Sequence, residues 1–291
     1  MKRKYSKYKI SFITLSIVLI TLFVFIPLIY GIYLSFFSGR GSEMEFAGLE
    51  NYIRIFSDSS VGKAIVNTLI FLILTIILVL FFSTLLSYAI DKIKNKKIKS
   101  ICTTILFFPS ITSPIAYSFF FKKLFEINGF LNNILINLNI ISEPQNYLLT
   151  PWGARLAVVF VCLWSFTGYF TILMVSARQS VNPDIYKMAR VDGANGFQML
   201  YKVHIPMLKP IIIFSSILIS CSMLQLFAEV SIITQGGPHE ATLTFMTYIY
   251  SLCFKYVPQF GYASSIGVVL FMLCSLICFT QYKLENKNEK I

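Results

Sequence analysis

Three polar residues within one long apolar run are the first candidates for chemistry. Glu229 is the one acid placed well inside such a run, and Gln225 and Ser222 precede it by four and seven residues. On one continuous helix these spacings would form a polar stripe. Because a charge in hydrocarbon is costly, the stripe is expected to face a cavity or a partner. A structural role for Glu229, bonded across an interface with another subunit, fits the sequence equally well.

Aromatic and small residues in a second apolar run complete this set. Trp164 and Tyr169 would supply an aromatic wall, and Gly168 would allow close approach of a solute. Hydrogen-bonding groups beside aromatic faces suit a sugar, which offers hydroxyls and apolar C–H patches. Packing is the competing interpretation for Trp164 and Gly168. The predicted substrate path therefore comprises Trp164, Gly168, Tyr169, Ser222, Gln225 and Glu229.

The sequence offers little else for catalysis or metal binding. His204 and His239 have no metal-ligand or catalytic companion at useful spacing, and the six cysteines form no CxxC or Cys/His cluster. No GxxxxGK[ST] motif occurs, so the chain is not expected to bind ATP by that route. We predict no catalytic residue, no metal site and no cofactor in this chain.

Composition indicates what kind of protein positions these residues. Of 291 residues, 56% are hydrophobic and only 13% are charged, which is typical of a polytopic membrane protein. The formal net charge is +12, but the positive residues cluster beside apolar runs. That placement favours topology and anionic membrane lipid over nucleic acid as the explanation.

Six apolar runs are long enough to cross a membrane, so we predict an all-α integral membrane protein with six transmembrane helices. The first is read as an uncleaved span because it is too long for a signal peptide. Pro109 and Pro114 predict a kink or break in the third, of the kind that often lines a path. The predicted spans cover about 10–37, 64–90, 101–121, 156–177, 207–234 and 262–281.

Charge placement predicts the orientation of these spans. With both termini cytoplasmic, 18 of the 25 Lys and Arg residues fall on the cytoplasmic side, which agrees with the positive-inside rule. The same orientation places the segment between spans 4 and 5 in the cytoplasm. The predicted location is therefore the plasma membrane, as a multi-pass protein.

The cytoplasmic segment 182–210 carries clear helix signals. Asn182 can cap a helix that starts at Pro183, and Asp184 adds negative charge where the helix dipole favours it. The helix should end near Asp192-Gly193, since Gly adopts the left-handed conformation without a Cβ penalty. A second helix is predicted from Ala194 to Ile205, with a break at Pro206.

This segment resembles the EAA loop of ABC importer permeases. That loop has a Glu-Ala-Ala element, a Gly six residues after its first position, and an apolar residue and Pro further on. Here the element reads Lys187-Met188-Ala189, followed by Asp192-Gly193-Ala194 and Ile205-Pro206. Two of the three element positions differ, and Lys187 reverses the charge of the family Glu. The ATPase-coupling residues that the resemblance implies are Tyr186, Lys187, Met188, Ala189, Asp192, Gly193, Ala194 and Pro206.

Further segments are similar to permeases of carbohydrate-type, or type I, ABC importers. They read FAGLENYIRIF, FFPSITSP, FAEVSIITQGGP and TLTFMTYIY, so the resemblance covers nearly the whole chain. It implies a transmembrane domain over 63–282, preceded by a tail, first span and external segment over 1–62 and followed by a cytoplasmic tail over 283–291. The implied function is ATP-driven import of a mono- or oligosaccharide. Glycerol phosphate or another polyol-type solute is the alternative.

The resemblance also implies a set of partners. These are a second homologous permease, a homodimeric ABC ATPase that holds ATP and Mg, and an extracellular solute-binding protein. A chain of this kind is a transport subunit and not an enzyme. The rival from another class is an ion-coupled secondary transporter, which would need ion-binding acids in its spans, and only Glu229 is available.

Overall fold

The computed structural model describes residues 13–40 and 43–288, and most of them are helical. The helices in chain order are α1 (Ile13–Leu34), α2 (Glu50–Ser57), α3 (Ser59–Asp91), α4 (Lys96–Ile111), α5 (Pro114–Phe125), α6 (Phe130–Asn137), α7 (Pro151–Gln179), α8 (Pro183–Val191), α9 (Gly196–Met207), α10 (Lys209–Leu224), α11 (Ala228–Ile233), α12 (Phe245–Tyr250) and α13 (Phe260–Asn288). Strands β1 (Phe37–Arg40) and β2 (Glu43–Phe46) follow α1. Short π-helical turns occur within α1 and α9 and directly after α12.

Four uninterrupted helices are long and apolar enough to cross a membrane: α1, α3, α7 and α13. Two bent helix pairs raise the number of candidate spans to as many as six. The pairs are α4 with α5 and α6, bent by 94°, and α9 with α10, bent by 70°. The predicted membrane-embedded helical architecture is therefore confirmed, with four to six candidate spans in the described part.

The predicted third span is broken where the prolines indicated. Pro109 is accommodated inside α4, whose last residue is Ile111, and Pro114 starts α5. Thr112 and Ser113 separate the two helices, because a residue before Pro is driven out of the helical conformation. The Thr112 hydroxyl donates to the Phe108 carbonyl at 3.0 Å and satisfies one acceptor near the break.

The predicted fifth span is interrupted as well, which the sequence did not indicate. Helix α10 ends at Leu224, and α11 begins only at Ala228. The Leu226 carbonyl between them accepts a 2.8 Å hydrogen bond from the Thr244 hydroxyl. The expectation that Ser222, Gln225 and Glu229 share one helix is therefore wrong, because a distant threonine satisfies the backbone where the helix stops.

The described residues form two compact units. The first joins the described residues up to Val61 with Tyr248–Met272. It contains the antiparallel hairpin of β1 and β2, in which Phe37 pairs with Phe46, so the fold is not purely α-helical. A Cβ on Gly261 would lie 1.8 Å from the Phe37 carbonyl oxygen, so only glycine allows the hairpin to approach α13 this closely.

Asp58 fixes the corner between α2 and α3 within this unit. Its Oδ2 accepts hydrogen bonds of 2.6 Å from both Tyr248 and Tyr262, and the Ser60 backbone N–H donates to its Oδ1. Partial burial acts to raise the pKa of Asp58, but these hydrogen bonds outweigh it and hold the pKa below its usual 3.8. Arg54 lies over the Tyr262 ring at 3.9 Å. Asp58 is thus expected to stay ionised, and its carboxylate links this corner to Tyr248 and Tyr262.

The second unit contains Gly62–Thr247 and the described residues from Leu273 onward. Its main core joins buried residues of α3, α7, α10 and α11, including Phe71, Val158, Ile219 and Val230. Helices α4 and α7 lie in close contact at Gly168, where an added Cβ would lie 1.6 Å from the Leu106 carbonyl oxygen. Gly168 therefore sets the contact between these two helices.

Candidate functional site

Helix α8 begins and ends where the sequence predicts. It runs from Pro183 to Val191, and the Asn182 side chain accepts a 2.9 Å hydrogen bond from the Asp184 backbone N–H. Asp192 follows as the C-cap, and Gly193 has a φ of +78°, in the left-handed region. These local capping signals are confirmed.

Helix α9 differs from its prediction at both ends. It starts at Gly196 and not at the predicted Ala194, because Asn195 caps it and forms a capping box with Gln198. Pro206 does not break it, since the helix continues to Met207. The preceding residues, Met199–His204, are π-helical, and the Ile205 backbone N–H donates to the Leu200 carbonyl five residues earlier. The 70° bend between α9 and α10 lies at Leu208, which follows Met207.

His204 ties α8 to the long helices behind it. The ring is fully buried, with the Tyr186 hydroxyl 3.1 Å from Nδ1 and the Ser87 hydroxyl 3.0 Å from Nε2. Ser87 donates its own proton to the Thr84 carbonyl, so it accepts from Nε2–H. Nδ1 is then the acceptor for the Tyr186 hydroxyl. Burial raises the pKa of Tyr186, so this hydroxyl stays protonated and able to donate.

Arg178 supports the same attachment from the end of α7. Its guanidinium carbon lies 3.6 Å from the centre of the Tyr186 ring, and its Nε lies 3.4 Å from Asp91 at the end of α3. Asp91 also pairs with Lys99 of α4 at 3.2 Å. The inward face of α8 is thus joined to α3 and α7, and through Asp91 to α4.

The outward face of α8 is apolar and unpaired in the described chain. Ile185, Met188 and Val191 are 37%, 66% and 87% exposed, whereas Tyr186 is buried. Lys187 forms an ion pair with Asp184 one turn earlier, at 2.8 Å, so the helix itself balances the positive charge. A short helix held on one side and apolar on the other is suited to dock into a groove of another protein.

The remaining loop residues predicted to couple lie around this helix. Ala189 accepts a 3.0 Å backbone hydrogen bond from Ala194, which closes the turn at Gly193. Pro206 is exposed on α9. Beyond the prediction, α9 carries the exposed rings of Phe197 and Tyr201, stacked in parallel at 6.3 Å.

A cavity of about 410 Å³ lies where the third span is broken. It brings together Tyr169 and Ser222 of the predicted substrate path with residues at the break and on α7 and α10. Its other lining residues are Pro109, Ser110, Thr112, Pro114, Tyr117, Ser165, Phe166, Phe170, Leu218 and Cys221. The cavity combines hydroxyl groups with aromatic rings, which is the mixture expected for a sugar.

The other predicted path residues lie outside the lining of this cavity. Glu229 is buried, and its carboxylate accepts a 2.5 Å hydrogen bond from the hydroxyl of Tyr117, which does line the cavity. Trp164 contacts the Tyr117 ring edge-on, with centroids 5.6 Å apart. Gly168 is buried against α4, and Gln225 bonds back to the Cys221 carbonyl. Glu229 and Trp164 thus contact Tyr117 of the cavity lining without lining the cavity themselves.

Two central residues of these sites were missed from the sequence. His204 was given no role, because its partners Ser87 and Tyr186 lie 117 and 18 residues away and no local spacing links them. Tyr117 could have been found, since it follows Pro114 by three residues and so faces the same side of the first turn of α5.

Comparison with known families gives one match over most of the chain. The profile of the family described as "Binding-protein-dependent transport system inner membrane component" matches residues 86–288. This range includes α8, α9 and all residues that line the cavity at the break in the third span.

Curated proteins of similar sequence are transport permeases. The chain is 33% identical to a lactose transport system permease protein of Rhizobium radiobacter, over 97% of this chain and 95% of that protein. It is 30% identical to a multiple sugar-binding transport system permease protein of Streptococcus mutans, over 96% and 95% of the two chains.

A solved structure shares the fold. A chain of a bacterial ABC transporter involved in the import of the acidic polysaccharide alginate superposes with a TM-score of 0.86, at 22% identity, over 98% of this chain and 96% of that one. A chain of a bacterial alginate ABC transporter in complex with an alginate pentasaccharide-bound periplasmic protein gives a TM-score of 0.85, at 21% identity and with the same coverage.

Proposed function

This chain belongs to the binding-protein-dependent transport system inner membrane component family, and from that premise we propose how it works as the permease subunit of a sugar importer. We infer six membrane spans with both termini in the cytoplasm, and a cytoplasmic coupling loop formed by α8 and α9. The positive-inside distribution of Lys and Arg supports this orientation.

One observation carries the coupling role of α8. Its outward face presents Ile185, Met188 and Val191 to solvent, while Tyr186 holds its inward face to the long helices. An apolar exposed face on a fixed helix is a docking element. We propose that it seats in a groove of a homodimeric ABC ATPase, which binds ATP and Mg in place of this chain.

The remaining partners follow from the same family. A second, homologous permease would complete the translocation path, and an extracellular solute-binding protein would deliver the solute. The alginate transporter that shares this fold was crystallised with a periplasmic protein carrying its sugar. Closure of the ATPase dimer would move α8, and with it α3 and α7, between two packings of the helices.

The transported solute is proposed to be a mono- or oligosaccharide. Similar permeases carry names for lactose and for multiple sugars. Among the described residues that line the 410 Å³ cavity, none carries a formal charge, which favours a neutral solute over glycerol phosphate. Tyr117, Tyr169 and Ser222 are the groups that would meet the sugar there, with Glu229 acting through Tyr117.

Affinity purification of the tagged chain from its native membranes in mild detergent tests this proposal. We expect one different permease and two copies of an ATPase to be recovered with it, and ATP to drive sugar uptake after reconstitution. Recovery of the chain alone or as a homodimer, with uptake driven by an ion gradient and not by ATP, would instead favour a secondary transporter.

A further inference from the structure

The start of α4 places positive charge where a helix least favours it. Lys96, Lys97 and Lys99 all lie in its first turn, and that turn contains no acidic residue. The unpaired N–H groups of a helix start already carry partial positive charge, so cations are disfavoured there and anions are favoured. Asn95 satisfies the Lys97 and Ile98 N–H groups, but it brings no charge.

Internal ion pairs compensate for only part of this charge. Lys99 pairs with Asp91 at 3.2 Å, yet Asp91 is shared with Arg178. Lys96 and Lys97 are exposed, and neither side chain forms an ion pair within the described residues. A local arrangement that conflicts with helix electrostatics points to an anion supplied from outside the chain.

A groove of about 450 Å³ opens beside this helix start, between α4 and α7. At one end lie Lys96, Lys99 and Gln179, and hydroxyl groups of Ser100, Thr103, Thr104 and Ser176 follow. The apolar side chains of Phe107, Ile172 and Val175 line it further along both helices. Both helices therefore change from polar to apolar in the same direction along the groove.

The length of the groove matches an amphiphile. Lys96 and Phe107 are eleven residues apart, which is about 16 Å along a helix. That is roughly half of the ~30 Å hydrocarbon core of a bilayer. A headgroup beside Lys96 would thus place its acyl chain against Phe107 and Ile172.

We propose that this groove binds an anionic glycerophospholipid, with the phosphate at Lys96 and the start of α4 and one acyl chain between α4 and α7. The inference rests on the proposed cytoplasmic placement of this end of the helices, where anionic lipid meets basic side chains. Because Lys99 is tied through Asp91 to Arg178, and Arg178 packs on Tyr186, a lipid here would steady the attachment of the coupling helix.

Lipid binding can be measured on the purified chain by native mass spectrometry. Phosphatidylglycerol is titrated against phosphatidylcholine of the same acyl composition. We expect tighter binding of phosphatidylglycerol, and about fivefold weaker binding in Lys96→Gln, since a lysine near anionic lipid contributes on the order of that factor. Lys97→Gln is the matched control, because it removes the same charge from the same turn but lies outside the groove lining.

A second variant tests the apolar end. Ile172→Trp should fill the groove and weaken phosphatidylglycerol binding, while soluble glycerol phosphate should bind poorly to every variant. Equal binding of the two lipids, or equal losses in Lys96→Gln and Lys97→Gln, would overturn the proposal. No transport or ATP hydrolysis enters this measurement, so its failure is separate from a failure of the importer assignment.

Discussion

Replacement of Tyr186 by Phe removes a single hydroxyl from the attachment of α8, for which we propose a coupling role. The ring and its contact with Arg178 remain, but Nδ1 of His204 loses its donor in a fully buried position. A buried polar group left without its partner costs about 1–3 kcal/mol. The α8 segment should therefore open locally about 5 to 150 times more often than in the wild-type chain.

Amide hydrogen exchange followed by mass spectrometry measures this opening directly. Peptides covering 183–191 should exchange faster in Tyr186→Phe, while peptides from the middle of α3 and α7 should be unchanged. In the reconstituted importer, fewer solute molecules should be moved for each ATP hydrolysed, because the helix would follow the ATPase without carrying α3 and α7.

Tyr201→Phe provides the matched control. Tyr201 is 64% exposed, and its stacking on Phe197 does not need the hydroxyl. We expect neither exchange nor coupling to change in this variant. The role assigned to the link between Tyr186 and His204 would be refuted if peptides covering 183–191 exchanged at the wild-type rate in Tyr186→Phe. It would also be refuted if their exchange rate rose equally in Tyr201→Phe.

Three further substitutions test the loop, the helix contact and the cavity. Gly193→Pro should abolish coupled uptake while the chain still reaches the membrane, because proline cannot adopt a φ of +78°; normal uptake would contradict the loop assignment. Gly168→Ala should lower thermal stability by about 1–3 kcal/mol, since its Cβ would clash with the Leu106 carbonyl, and Gly267→Ala, which has open space, is the control that should stay unchanged. Glu229→Gln keeps an acceptor for Tyr117, so we expect an intact fold with reduced uptake; unchanged affinity and rate would remove Glu229 from the path.

Features encoded within a few residues were predictable from the sequence. The start of α8 needs only Asn182, Pro183 and Asp184, and its end needs only Gly193, so the prediction holds at both ends. The break before Pro114 is local in the same sense. Long apolar runs likewise locate four uninterrupted helices, because length and composition alone decide whether a helix can cross a membrane.

Features that depend on distant partners were not predictable in this way. The stop of α10 at Leu224 is stabilised by Thr244, and the burial of His204 requires Ser87 from another helix. The π-helical turn of α9 before Pro206 likewise leaves no composition signal in the sequence. Ser222 and Glu229, predicted on one helix, therefore lie on α10 and α11. The cavity is lined by Tyr117, which was not predicted, and not by Gln225, which was.

The break between α4 and α5 is contacted by a helix that follows it in the chain. Backbone groups at such a break cannot remain unsatisfied in lipid. Beside the break, the Ser110 hydroxyl donates to the Ser165 carbonyl at 2.9 Å and so links α4 to α7. Helix α7 is synthesised after α4 and α5. Before α7 is made, α4 therefore lacks this contact, and the 94° bend between α4 and α5 has no support from it.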